Sequence, residues 1–532
     1  MTHLNGRNSV NLYRFAGQSN FIRHTMTRYQ HLAMLLEKRI AQGLYRNGER
    51  LPSVRSLSAE HGVSISTVQQ AYYLLEQKQL IIPQSRSGYY VAPHKAMPPI
   101  PALTRPVQRP VEITQWDAVF DLLNSRLEDD ILQLGSGMPD LTQSTLKPLW
   151  KAFSRQAQKQ ESTLLNYDNL YGVTCLREQI ARLMIDSGCQ LSHEDIVITT
   201  GCHEALSVSV RAVCQPGDII AVESPSFHGI MQTLRGFGIR AIEIPTDAVT
   251  GISLEALELA FDQWPIKAVV VVPNCNNPLG FIMPEKRKRA LLALAQRFDA
   301  AIIEDDVYGE LAWEYPRPSS IKSMDEDGRV LLCSSFSKTL APGLRVGWVA
   351  PGRYRDRVLH MKYIGTGSTA TQPQHAVAEF IHQGHYQTHL RRMRQVYQHN
   401  YETFICWVRH YFPCGICVTR PQGGFLMWIE LPEAFDAVQL NNTLRESGIQ
   451  IAVGSLFSAS GKYRNCLRLN YALPASDKVE RALAITGSAV EQAIAACVHD
   501  RPRAHTSLPV VEEQGQKEEG TGPGPAIPAG HL

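Results

Sequence analysis

Between residues 196 and 350 the chain alternates short apolar runs with amphipathic stretches, and few folds accommodate that rhythm. The runs at 196–199, 218–223, 241–245, 268–273, 301–306, 330–336 and 347–350 are too short for helices and read as buried strands. The stretches between them suit crossover helices. Apolar strands joined by helices predict a mostly parallel α/β sheet. Beyond about residue 390 the pattern changes to long helices with a few strands, such as 425–430 and 466–471, which predicts a smaller α+β domain.

The front of the chain is patterned differently. Folding is expected to start near Met26, because Leu32, Leu35, Leu36 and Ile40 recur at helical spacing. Gly48 and Pro52 break that pattern, and a short helix follows over 54–60 with Ser53 as its N-cap. Gly62 makes a turn before Ser64 opens a third helix, with Val68, Ala71, Leu74 and Leu75 on one face. Leu80-Ile81-Ile82 and Tyr89-Tyr90-Val91 read as a hairpin whose tip is Ser85-Arg86-Ser87-Gly88. Residues 93–113 carry six prolines and read as an extended, semi-rigid linker. The expected division is an N-terminal extension (1–25), a front module (26–92), the linker (93–113), a large body (114–498) and a Gly-, Pro- and Glu-rich tail (499–532), both ends being disordered.

The net charge of +3 is unevenly spread: residues 26–92 alone carry +4, which makes the front module the candidate for meeting a polyanion. No apolar stretch approaches the roughly 18 residues of a membrane span. The first 25 residues lack the apolar core of a signal peptide. Eleven scattered cysteines fit a reducing, cytoplasmic setting. Cys414 and Cys417 have no second pair or histidine at ligand spacing; they read as strand packing, and no metal is expected.

The chemistry concentrates where the sixth apolar run ends. Ser335, Ser337, Lys338 and Arg345 place two hydroxyls, an amine and a guanidinium within eleven residues. An aldehyde cofactor with a phosphate, pyridoxal 5'-phosphate, needs that set: an amine for an imine and dianion-binding groups beside it. Asn277 lies in an Asn-Asn-Pro-Leu-Gly turn, Asp305 and Asp306 end a strand three and two residues before Tyr308, and Gly201-Cys202-His203 opens a helix whose backbone N–H groups can hold phosphate.

These motifs, in this order, resemble fold type I pyridoxal-phosphate enzymes of the aspartate aminotransferase group over roughly residues 130–490. The resemblance implies that Lys338 carries the cofactor, that Asn277 and Tyr308 bond its phenolic oxygen, and that Asp305 rather than Asp306 faces its ring nitrogen. It implies further that Phe227 stacks on the ring and that Gly201, Cys202, His203, Ser335, Ser337 and Arg345 surround the phosphate. Relatives more often carry a small or hydroxyl residue and a glutamine where Cys202 and His203 stand. Arg468 would clamp a substrate α-carboxylate, Gly137 would line the substrate pocket, and Tyr167, with Gly172, would reach the phosphate of a partner subunit.

Residues 28–92 resemble the winged helix-turn-helix of GntR-type regulators through Leu51-Pro52-Ser53-Val54-Arg55-Ser56-Leu57-Ser58 and Gly62-Val63-Ser64-Ile65-Ser66-Thr67-Val68. The resemblance implies phosphate contacts from Ser53, Arg55 and Thr67, base-edge contacts from Ser64, Ser66 and Gln69, and a wing with Arg86 and Gly88 in the minor groove. Together the two parts resemble the MocR subfamily of bacterial transcription regulators. That implies a head-to-tail homodimer on double-stranded DNA that senses an amino compound through an external aldimine replacing Lys338. The alternative is a working aminotransferase, amino acid to 2-oxo acid, that carries a DNA-binding module; a lyase or decarboxylase is a third reading.

Overall fold

The computed structural model describes residues 27–499 apart from 47, 79, 85–86, 93–96, 104–108, 114–115, 118, 121–129, 159–165 and 434. Arg86 and, of the expected disordered ends, 1–25 and all of 499–532 except His499 therefore lie outside the described residues; His499 is the last residue of a helix that starts at Asp477.

The front module is built from α1 (Arg28–Ala41), α2 (Val54–His61) and α3 (Ile65–Gln77), followed by an antiparallel hairpin of β1 (Ile81–Gln84) and β2 (Gly88–Val91). Its helices start where the sequence provides caps: Ser53 Oγ accepts from Ser56 N at 3.1 Å, and Ser64 Oγ from Thr67 N at 3.2 Å. Gly62 ends α2 in the left-handed region at φ +61°, which a residue with a Cβ adopts only at a cost. Leu36, Leu57, Val68, Ala71, Tyr72 and Leu75 form the centre of a core separate from that of the body. The Tyr72 hydroxyl donates to Pro52 O at 2.5 Å, tying α3 to the loop before α2.

In the body, a short strand β3 (Leu132–Gln133) precedes a sheet of eight strands. These are β4 (Val197–Thr199), β5 (Ile219–Ser224), β6 (Arg240–Asp247), β7 (Gly251–Ile252), β8 (Ile266–Val271), β9 (Ala301–Asp305), β10 (Val330–Ser335) and β11 (Gly347–Ala350). Their order is β4-β11-β10-β9-β8-β5-β6-β7. The pairs from β10 through β9, β8 and β5 to β6 are parallel, while β11 and the edge strand β7 run antiparallel to their neighbours. All seven apolar runs of the sequence became strands of this sheet. The two-residue β7 escaped the pattern because it is too short to show alternation.

The smaller sheet has the order β12 (Cys417–Val418), β13 (Leu426–Glu430), β16 (Cys466–Asn470), β15 (Ala452–Val453), all antiparallel, with Trp428 opposite Arg468. The remaining strand, β14 (Ile449–Gln450), pairs in parallel with β3 as a separate two-stranded sheet, and Asn470 N at the end of β16 donates to Leu134 O at 2.7 Å, which ties the segment before Gly137 to the smaller sheet. Only Cys417 lies in a strand; Cys414 is exposed, separated from it by Gly415 at φ +90°, so strand packing does not hold for Cys414.

The described part of the proline-rich segment is fastened down rather than spanning open space. Val418 N donates to Pro99 O at 2.8 Å, and Val111 exchanges bonds of 2.8 and 3.1 Å with Ala241 at the start of β6. One end thus holds the small sheet and the other the large one. Proline cannot donate, but its carbonyl accepts, so a proline-rich segment can still join a sheet edge.

Candidate functional site

The functional side chains gather because the parallel strands deliver them at their carboxyl ends, where open α/β sheets form crevices. β4 leads to Gly201, β5 to Phe227, β8 to Asn277, β9 ends on Asp305, and β10 leads to Lys338. Together with Arg468 from the small sheet these ends surround a cavity of about 500 Å³.

Asp305 and Asp306 point to different tasks. Asp306 is buried in an ion pair with Arg317 and accepts from Asn274 Nδ2 at 2.9 Å, a structural contact. Asp305 lines the cavity and accepts from the Cys202 thiol at 3.6 Å and from Val307 N at 3.3 Å. Burial pushes the Asp305 carboxyl up to about 6, because a desolvated carboxylate is costly; the bonds from Val307 and Cys202 offset only part of this. Burial also raises the Cys202 thiol well above its ordinary value, so Cys202 is a neutral donor.

The Lys338 amine donates to Gly137 O at 2.7 Å. A Cβ on Gly137 would stand 3.6 Å from Lys338 Nζ, 3.7 Å from Arg468 Nη2 and 3.9 Å from the Tyr308 hydroxyl, so that glycine keeps the centre of the site open. Arg468 is 1% exposed; it donates to Asn277 Oδ1 at 2.8 Å and Gly135 O at 2.7 Å, with its guanidinium 4.8 Å above the Phe457 ring. Bonds on one edge and an aromatic face beneath fix the fork's plane.

The other end of the cavity is a ready anion cradle. The helix Cys202–Val213 begins at Gly201, which has φ +80° and offers its first N–H groups no side-chain cap. Arg345, itself left-handed at φ +51°, donates to Thr200 O at 2.8 Å and so holds this loop. A Cβ on Gly201 would lie 2.6 Å from the Arg345 guanidinium. Ser335, Ser337 and His203 complete the wall around Arg345. Burial, reinforced by Arg345, lowers the affinity of His203 for a proton. Phe227 reaches the cavity from the residue before the next helix, its ring packed over Gly229 and 4.7 Å from that of His228.

Tyr167 stands apart: it is 93% exposed and is not part of this wall. Gly172 packs against Ile198 and Gln374. Sequence reading missed Phe457, whose ring carries Arg468, and the carbonyl of Gly135; neither a lone phenylalanine nor a backbone oxygen leaves a pattern. It also missed Trp116, Val119 and Met138 in the cavity wall.

In the module, Ser64, Ser66 and Thr67 share one hydroxyl network at the start of α3, with Ser64 Oγ 2.9 Å from Ser66 Oγ and 2.8 Å from Thr67 Oγ1. Ser53, Arg55 and Gln69 are exposed. Gly88 has φ +113°, and a Cβ there would touch Arg50 Nε at 3.4 Å, so Arg50 adds an exposed cation near the tip of the hairpin.

An amine, a buried carboxylate and a guanidinium around one cavity, beside an anion cradle at a helix start, define an aminotransferase-like body; the helices and wing in front define a DNA-binding module. The comparisons agree. The model of "Aminotransferase class I and II" matches residues 129–485 and that of "Bacterial regulatory proteins, gntR family" matches 28–91. The uncharacterized HTH-type transcriptional regulator YjiR of Escherichia coli strain K12 is 62% identical over 469 residues, 88% of this chain and 100% of the relative. YdcR of the same organism is 36% identical over 469 residues, again 88% and 100%. Among solved structures, Pyrococcus horikoshii kynurenine aminotransferase matches with a TM-score of 0.65 and 29% identity, over 70% of this chain and 94% of that one. The chain belongs to the MocR-type regulators, in which a GntR-family winged helix-turn-helix precedes an aminotransferase class I and II domain.

The aminotransferase class I and II family is pyridoxal-phosphate-dependent, and the residues present fit that cofactor. The cradle that a Cβ on Gly201 would fill suits a phosphate, the buried Asp305 suits a protonated ring nitrogen, and Lys338 is the amine between them.

Proposed function

We propose that this chain is a pyridoxal-phosphate-dependent transcription regulator that senses an amino compound at Lys338. The observation that carries the reading is the convergence of Lys338, Asp305 and Arg468 on one cavity in a chain that begins with a DNA-binding module. The cofactor supplies an aldehyde that binds amines covalently and a ring that withdraws electrons. The protein's residues do the rest. Lys338 would hold the cofactor by its amine, which in the structure donates to the Gly137 carbonyl at 2.7 Å. Asp305 would keep the ring nitrogen protonated, and the first N–H groups of the Cys202 helix with Arg345, Ser335 and Ser337 would hold the phosphate. Arg468 takes the carboxylate in exchange for Asn277 and Gly135.

The effector changes DNA binding to the extent that it binds one arrangement of the two sheets better than the other. A head-to-tail homodimer, in which the exposed Tyr167 reaches the partner's phosphate cradle, gives two modules for two DNA half-sites.

The test joins two measurements on the cofactor-loaded chain: visible absorbance during amine titration, and anisotropy of a labelled DNA fragment from upstream of its own gene. Amine addition is expected to move both in wild type, and Lys338→Ala is expected to abolish the band present before any amine is added. Persistence of that band in the variant overturns the role of Lys338.

The second reading, a working aminotransferase, is favoured by the same cavity, because Lys338 stands where it can move a proton and Arg468 where it can hold an acid. Sustained turnover of an amino acid with a 2-oxo acid, with DNA binding unmoved, would establish it.

A further inference from the structure

We propose that His389 is the positioning residue for Lys338: its imidazole, on the long helix His385–Tyr411, bridges the turn that carries the amine and the segment that receives it. The inference rests on the sensor-site reading above and deepens it by naming what aims the amine.

Lys338 sits in a turn, outside any helix or strand. Leu340 N and Ala341 N both donate to Phe336 O, at 2.8 and 3.1 Å, and Phe336 N donates to Val346 O at 3.0 Å, so the base of the turn is closed. Its far side is held from outside: His389 Nε2 lies 2.9 Å from Thr339 O, the carbonyl next after Lys338. A carbonyl only accepts, so Nε2 carries the proton. Nδ1 of the neutral ring is then the acceptor, and the Thr145 hydroxyl, 2.7 Å away, donates to it. The two partners together fix the tautomer and the ring plane. His389 is 1% exposed, and burial pushes it down to about 4, the Thr339 bond and the Asp140 charge offsetting only part of this.

Thr145 belongs to the segment that leaves Gly137. Between them the Asp140 carboxyl accepts from Thr142 N at 2.8 Å, from Thr142 Oγ1 at 2.7 Å and from Gln143 Nε2 at 2.6 Å. Asp140 N donates to the Tyr397 hydroxyl at 3.1 Å. Tyr397 follows His389 by eight residues on the same helix, about two turns along one stripe. Helix, segment and turn thus close a ring of bonds whose last link is the 2.7 Å contact from Lys338 Nζ to Gly137 O. An amine aimed in advance spares the cofactor the ordering of that turn when it attaches. Ordering the backbone of one residue corresponds to about tenfold in affinity.

The experiment measures equilibrium affinity of the full chain for pyridoxal phosphate, by dialysis read with visible absorbance. Wild type, His389→Phe, Lys338→Ala and the double variant form one cycle. Attachment joins Lys338 Nζ to the aldehyde carbon with loss of water, so only chains with Lys338 gain from its being aimed. His389→Phe is expected to weaken binding about tenfold where Lys338 is present and less than about twofold where it is absent. His389→Gln, whose amide N–H reaches the place of Nε2, is expected to return to within about threefold of wild type. Thr145→Val removes the hydroxyl at nearly constant volume and carries the same cycle should His389→Phe fail to fold; about fivefold with Lys338 and no change without it are expected. Equal losses in both backgrounds, or wild-type affinity in Thr145→Val and His389→Phe, overturn the positioning role and leave the sensor reading intact. A wild type that takes up no cofactor overturns the sensor reading, and this role with it.

Discussion

Asp305 shows how far one buried carboxyl can shape the site before any ligand arrives. Its proton affinity, raised to about 6 from an ordinary 3.8, means the folded, cofactor-free chain holds this proton more tightly than the unfolded chain does. Stability from this group is therefore complete below about pH 4 and is lost as the pH rises through about 6. The shift corresponds to about 3 kcal/mol. Asp305→Asn cannot ionise, so wild type should lose about that much relative to the variant between pH 4 and 7, as read from urea midpoints of the cofactor-free proteins. A constant difference across that range would show that the carboxyl is not desolvated. The same residue illustrates what sequence could tell. Two adjacent acids before Tyr308 marked the place, but only the Asp306–Arg317 ion pair, eleven positions apart in sequence, separates the structural acid from the one in the cavity.

At the scale of elements, the strands were legible because burial on both faces writes itself as an apolar run, and the caps of α2 and α3 because serine leaves a local signature. The cavity's cradle was only partly legible. Gly201 was recognisable as the start of a helix, but its fit against Arg345 depends on β4 and β11 lying side by side, with Thr199 opposite Gly347. A Cβ on Gly347 would itself meet Gly201 at 2.5 Å, so two glycines, one just past β4 and one opening β11, allow the approach. Gly201→Ala forces a backbone region that residues with a Cβ rarely adopt and pushes Arg345 off Thr200. Its affinity for pyridoxal phosphate should fall tenfold or more in equilibrium titration, with the far-ultraviolet circular dichroism of the fold retained. An unchanged affinity would remove Arg345 and this helix start from the phosphate site.

For the whole molecule, the front module and the body answer to different forces. DNA binding should weaken steeply with added salt, because cations that neutralise phosphates release counter-ions. Arg55 is exposed on α2, and Arg55→Ala should reduce the slope of log affinity against log salt by about 1, measured by anisotropy on one DNA fragment at several ionic strengths. A loss of affinity that is the same at every salt concentration would place Arg55 off the phosphates. The proline count marked where the two units divide, but could not show that the connecting chain is bonded to both sheets, since those bonds use backbone groups that every sequence has.

That attachment sets a leash. Ala92, next to the end of the hairpin, and Pro99, bonded to the edge of the small sheet, are seven residues apart, and a chain gains at most about 3.6 Å per residue. The reading head can thus wander no more than about 25 Å from the sheet that carries Arg468. Any displacement of that sheet beyond this reach has to carry the reading head with it.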